Sequence, residues 1–206
     1  MKSVDFCVKV VCFATTIILF GNHIKQKFDI KVKTNNFTTT LQRKVAFTAI
    51  GPSALRGQGK GVLRASQNFL AQISLTKIPK LSKRKFQSWL EHQTTLLLDN
   101  LPIKNRPWGA ARKAINLFLR DALYNKYLSK KFDLQLIEKW LEVPLDSVVA
   151  KGLKLNGDRG ELPIWPGLKN LTREVSEDFQ VFASKQARLK GIARGHLDMY
   201  LWLANR

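Results

Sequence analysis

Cysteine is nearly missing from this 206-residue chain: Cys7 and Cys12 are the only two, and both lie in the first dozen residues. A disulfide framework and a thiolate metal site, including a zinc nucleic-acid module, are therefore excluded for everything that follows them. Histidine is almost as scarce, with His23, His92 and His196 alone. A histidine-rich metal centre is not expected, and neither metal nor cofactor is predicted. A long apolar run is also lacking. The most hydrophobic stretch, residues 6–20, is interrupted by Lys9 and falls short of the ~20 residues that cross a bilayer. Gly21-Asn22-His23 follows it, with no clean small-x-small cleavage site. Residues 6–20 read as a targeting or anchoring segment, a hairpin-like extension or a non-native leader, and membrane association is expected only through them.

Acidic residues are few as well, 15 Asp and Glu against 35 Lys and Arg, for a net charge of +20. Residues 1–44 hold eight of the 35 and two of the 15, which leaves 27 against 13 in residues 45–206. The basicity thus belongs to the body, and it is a statement about partners: nucleic acid leads. With 45% hydrophobic residues and Trp and Phe spread along the chain, the body is a packed globule and not a basic tail. Two parts are expected: an N-terminal extension over 1–44, whose 25–44 portion is a polar, basic linker, and a helical domain over 45–206. A monomer in the cytoplasm or nucleoid is the expectation.

From about Val45 the apolar spacing is helical. Gly51 to Gly61 is a glycine-rich connector without the Gly-x-x-x-x-Gly-Lys-Ser/Thr spacing of a phosphate loop. It is either a flexible turn or a close-approach loop lining a nucleobase or backbone site. Val62, Ala65, Phe69 and Ile73 then mark one helical face, and Ser82 is the N-cap of a helix to about Asp99. Lys80, Lys83, Arg84 and Lys85 crowd that helix start, where cations oppose the dipole. After Leu101-Pro102, the stretch Pro107-Trp108-Gly109-Ala110-Ala111-Arg112-Lys113 opens a helix expected to run to about Leu128, with Ala111, Ile115, Phe118 and Ala122 inward. Another helix is expected near Asp133, a further one from Pro144 with Asp146 in its first turn, then an irregular loop over 157–170. Thr172 caps a long amphipathic helix, and a last helix carries His196, Leu197, Asp198, Leu201 and Trp202. No strand is predicted after residue 60, so the fold class is all-α.

Three features converge: Lys113 early in its helix, Asp146 at a later helix start within Val143-Pro144-Leu145-Asp146-Ser147-Val148-Val149, and the terminal segment His196-Leu197-Asp198-Met199-Tyr200-Leu201-Trp202. Together they resemble the helix-hairpin-helix DNA glycosylase superfamily, with the 33-residue lysine-to-aspartate separation and the terminal segment similar to its archaeal 8-oxoguanine branch, over roughly residues 100–206. Where the family has Leu-Pro-Gly-Val-Gly in the hairpin, this chain has Asn105 to Ala111.

The resemblance implies a base-excision enzyme, a glycosylase with AP-lyase activity, that acts on double-stranded DNA carrying a lesion such as 8-oxoguanine. Lys113 would attack the sugar carbon and Asp146 would assist. Trp108, Gly109, Arg112, Phe118, Trp202, His196 and Asp198 are the candidate substrate-binding residues. An amine attacks only as the free base, which desolvation beside cations such as Arg112 favours. The extruded base calls for an aromatic pocket, for which Trp89, Trp108, Phe118, Trp165 and Trp202 are candidates, each with a place in the core as its other reading. Lys113 also reads as a plain phosphate contact and Asp146 as a plain helix cap. His196 and Asp198, two residues apart, would point to different sides of a helix. The alternative functions are a non-catalytic basic helical nucleic-acid-binding protein and a membrane-associated helical protein.

Overall fold

The computed structural model of the chain describes residues 37–104 and 106–204, so the expectations for residues 6–20 and 25–36 lie outside the described residues. Every regular element described is helical. In chain order they are α1 (Phe37–Ala49), α2 (Val62–Leu70), a 3-10 turn at Ile78–Lys80, α3 (Lys83–Asp99), α4 (Trp108–Tyr124), α5 (Lys126–Lys131), a 3-10 segment at Leu134–Trp140, α6 (Ser147–Leu155), α7 (Arg173–Leu189), a 3-10 turn at Arg194–His196, and α8 (Leu197–Ala204).

The helical body begins at Phe37 instead of residue 45. Residues 37–44 look like a linker because α1 buries only one narrow side, Gln42, Val45, Ala46 and Ala49, and leaves its threonines and basic residues toward water. Gln42 is the one polar residue turned inward. Its amide donates to the carbonyl of Ile73 at 2.7 Å and fastens α1 to the chain just after α2.

Three helix boundaries differ from the sequence reading, each for a local reason. The helix of Lys113 stops at Tyr124 because Asn125 leaves the helical conformation and accepts from the amides of Tyr127 and Leu128, starting α5 as its cap. The helix expected near Asp133 is a 3-10 segment entered through Asp133 at φ 47°, in the left-handed region. The helix expected from Pro144 starts at Ser147, and residues 141–145 are instead a buried, non-helical run.

Ser82 and Thr172 cap α3 and α7 by accepting from the amides of Lys85 and Val175, as the sequence indicates.

Two hydrophobic clusters make the core. The first gathers side chains from Val45 to Leu141, with Phe86, Ile115 and Phe118 at its centre. The second gathers side chains from Val143 to Leu201, with Phe179 and Leu197 fully buried. The chain passes from one cluster to the other between Leu141 and Val143, and Asp146 follows three residues later.

Beneath this passage lies a buried polar network. Arg112 donates from Nε and Nη2 to the two carboxylate oxygens of Glu142 at 2.8 and 2.9 Å, and Asn116 donates to the same carboxylate at 3.0 Å. Burial alone would raise the Glu142 carboxyl. The charge and hydrogen bonds of Arg112, the charge of Arg194 and the hydrogen bond of Asn116 together outweigh it, and the group is held below its ordinary value. Gln180 of α7 then pairs with the backbone of Val143 in both directions, donating to its carbonyl at 2.8 Å and accepting from its amide at 3.1 Å. These contacts satisfy the backbone of a run that forms no helix, and they fix the approach to Asp146.

Candidate active site

Lys113 and Asp146 meet where the two clusters abut. Lys113 lies in the second turn of α4, Asp146 immediately before α6, and their facing atoms, Nζ and Oδ2, are 3.0 Å apart. The Lys113 amine also donates to the carbonyl of Ala54 at 3.0 Å. Only 7% of Lys113 is exposed, too little for a lysine that greets phosphates at the surface. Asp146 divides its two oxygens: Oδ1 accepts from the amides of Val148 and Val149, both at 2.9 Å, and Oδ2 faces the lysine. Asp146 is thus a helix cap and also the ion-pair partner of the lysine.

These two groups line a cleft of about 620 Å3. One wall comes from the end of α1 and the connector that follows, with Thr48, Gly51, Ser53 and Ala54; the other comes from α8, with Asp198, Met199 and Trp202. The floor is α4, where Lys113, Leu117 and Arg120 are spaced i, i+4 and i+7 and therefore share one face. The first residues of the glycine-rich connector, Gly51, Ser53 and Ala54, line this cleft. Its later glycines, at φ 111° for Gly59 and 82° for Gly61, lie against Ile103 and Pro102 instead.

Asp198 and Arg120 form the charged end of the cleft. Arg120 donates through Nη1 to Asp198 Oδ2 and through Nε and Nη2 to Asp121 at 2.9 and 2.8 Å. Burial pushes the Asp198 carboxyl up and Arg120 holds it back, while the negative charges of Asp121 and Asp146 add to the rise, so that the group sits at about 6. Its other oxygen, Oδ1, is fully buried, and the backbone amide of Met199 helps to hold the carboxyl down. The Arg120 guanidinium is disfavoured by burial, but Asp198 and Asp121 more than compensate and raise it further.

Comparison with family models, with curated proteins and with solved structures finds no match to this chain.

Of the sequence candidates, the structure brings together Lys113, Asp146, Asp198 and Trp202. The others lie elsewhere, and each has a physical reason. Phe118 is 0% exposed in the first cluster and has no ring face left for a base. Arg112 is committed to Glu142 and also donates to Thr94 and Glu91, so it braces the core. Its charge is answered by two carboxylates and is not available to act on Lys113. Trp108 packs against the second cluster, donates to Glu91 at 3.3 Å and lies under the Arg112 guanidinium, outside the cleft.

Gly109 is needed by packing. A Cβ there would sit 2.6 Å from the carbonyl oxygen of Leu168 and 2.7 Å from Leu171 Cβ, so its missing side chain admits a neighbouring loop. His196 joins a surface chain, with Nδ1 2.7 Å from the Tyr124 hydroxyl and Nε2 2.7 Å from Glu138, while Asp198 turns to Arg120. Among the other aromatic candidates, Trp89 stacks on Phe86 and Trp165 meets Phe179 edge-on.

Sequence reasoning missed Arg120, and one signal pointed to it: it lies seven residues beyond Lys113, two turns along the same helical face. It also missed the carbonyl of Ala54, which no side-chain pattern announces.

Proposed function

We propose that the chain is a DNA glycosylase with an associated lyase step, acting on oxidised purine such as 8-oxoguanine in double-stranded DNA. The observation that carries this reading is the Lys113–Asp146 pair, a buried amine 3.0 Å from a carboxylate, opening onto a cleft that also holds an aromatic ring, Trp202. A base extruded from the stack needs a pocket with a polar edge and a ring to lie on. The cleft offers Trp202 as the ring and the Asp198–Arg120 pair as the polar edge.

The chemistry follows from the pair. Asp146 Oδ2 takes a proton from the Lys113 ammonium and leaves the free amine. The amine forms a bond to the sugar C1′ as the bond to the base breaks, and the base departs with the electron pair and takes the proton that Asp146 holds. Asp146, a carboxylate again, then stabilises the positive charge left on the amine and the sugar beside it. Opening of the sugar ring then gives an imine to Lys113, from which the 3′ phosphate can be eliminated.

Asp146→Asn tests the division of labour. Asparagine keeps an oxygen for the amides of Val148 and Val149, so the cap survives, while the buried Lys113 amine loses its charged partner and the thermal midpoint should fall. Excision of 8-oxoguanine from duplex DNA should fall by about 10²-fold or more, the weight of a general acid–base group. Excision unchanged in a folded Asp146→Asn protein would remove the aspartate from the mechanism. It would favour the other reading, a basic helical protein that binds nucleic acid through its charge alone.

A further inference from the structure

No Asp or Glu stands between Asp29 and Glu91, so α1, the glycine-rich connector and α2 carry positive charge alone. A cation in this stretch has no local carboxylate to settle on, and two of them settle on a ring instead. The guanidinium carbon of Arg43 lies 5.7 Å and that of Arg64 4.8 Å from the centre of the Phe47 ring, whose negative face attracts a cation. Arg43 is one turn before Phe47 on α1 and shares its face. Arg64 comes from α2.

The backbone fixes how the two helices meet. Gln67, buried and one turn beyond Arg64 on α2, donates its side-chain amide to the carbonyls of Ile50 at 2.9 Å and of Phe47 itself at 3.3 Å. Gln42 of α1 donates in return to the Ile73 carbonyl, just past the end of α2. The Phe47 ring packs against the first hydrophobic cluster, so it is a fixed platform for both cations. Among the described residues neither guanidinium is in an ion pair, whereas those of Arg106, Arg112, Arg120 and Arg173 all are. Both residues are exposed, which leaves their N–H groups open to a ligand.

A guanidinium grips a phosphate through a planar fork of N–H donors, and one already held on a ring loses little freedom in doing so. The helix that carries the platform ends in the wall of the cleft: Thr48, the residue after Phe47, and Ala49 line it together with Lys113. We propose that Arg43 and Arg64, braced on Phe47, form a clamp for the phosphodiester backbone of a DNA strand passing the cleft. Such contacts fix the register of a protein on DNA without reading its sequence. The inference rests on the glycosylase reading for the identity of the polymer, and assigns its backbone to residues outside the Lys113–Asp146 pair.

The test is equilibrium binding of the full chain to an undamaged duplex over a series of salt concentrations, which reads the number of phosphates engaged. Arg43→Gln/Arg64→Gln should weaken binding by about tenfold at low salt and flatten the dependence of log K on log salt by about 2. Lys77→Gln/Lys80→Gln removes the same charge from exposed positions of the same acid-free stretch and should do much less. Phe47→Leu keeps both cations but removes their platform and should also weaken binding; Phe47→Tyr should restore it. Equal losses from the arginine pair and the lysine pair would show net charge at work and overturn the clamp. Binding as tight as that of the unmodified chain by a folded Phe47→Leu protein would overturn it too, and if that variant does not fold, the two pairs decide alone. Borohydride trapping on lesion DNA keeps the claims apart. A chain that traps while Arg43→Gln/Arg64→Gln binds normally loses only the clamp; one that does not trap but shows the expected losses keeps the clamp and loses the glycosylase reading.

Discussion

Asp198 is the residue whose environment is most at odds with its charge. It lies buried in the cleft wall beside one cation, Arg120, and near two other carboxylates, Asp121 and Asp146, and its carboxyl sits at about 6 against an ordinary 3.8. The folded protein therefore holds a proton there more firmly than the unfolded chain does. Its contribution to stability is fully present below pH 3.8 and is lost as pH rises through about 6. Glu142 works in the opposite sense, since its carboxyl is held below its usual value and its contribution is lost as pH falls. Comparing the melting temperature of the unmodified chain and Asp198→Asn across pH 4 to 7 isolates the first effect. The unmodified chain should lose stability relative to the variant as pH rises through about 6. A difference that is flat with pH would show that Asp198 titrates normally.

At the scale of elements, the stability of the site depends on how closely α4 meets the loop that covers it. Gly109→Ala would push a methyl group into the Leu168 carbonyl and Leu171, both of them backbone or near-backbone atoms with little room to give. The expected cost is about 1–3 kcal/mol, read as a lower thermal midpoint. A variant as stable as the unmodified chain would mean that the 168–171 loop moves freely. Much of this level was legible beforehand. The helical periodicity after residue 45, the caps Ser82 and Thr172, and the inward face of α4 all follow from short-range patterns that the structure keeps. What was not legible is tertiary in origin. Gly109 looks the same in sequence whether a DNA backbone or a protein loop approaches it, and Arg112 looks the same whether it faces phosphate or Glu142. The buried run 141–145 reads as the opening of a helix because Gln180, which satisfies its backbone, is 37 residues away from Val143. Lys113 and Asp146 were found as single residues in local motifs, and their meeting at 3.0 Å needed the fold.

For the molecule as a whole, the organising fact is that the cleft lies where two hydrophobic clusters abut, with the lysine contributed from the first and the aspartate from the start of the second. Such a seam gives a concave site with walls held by separate parts of the core. The excess of Lys and Arg over the whole chain, 35 against 15 acids, would draw a polyanion toward it. Among the described residues no helix is long and apolar enough to cross a membrane. Charge alone would serve a passive nucleic-acid binder equally well, so the claim that separates an enzyme from a binder is the covalent step at Lys113. Borohydride trapping of the full chain on duplex DNA containing 8-oxoguanine measures that step directly. A stable covalent adduct is expected with the unmodified chain and none with Lys113→Gln. None is expected with Lys113→Arg either, which keeps a cation beside Asp146 but cannot form the imine. No adduct with the unmodified chain, or an adduct that persists in folded Lys113→Arg, would contradict it.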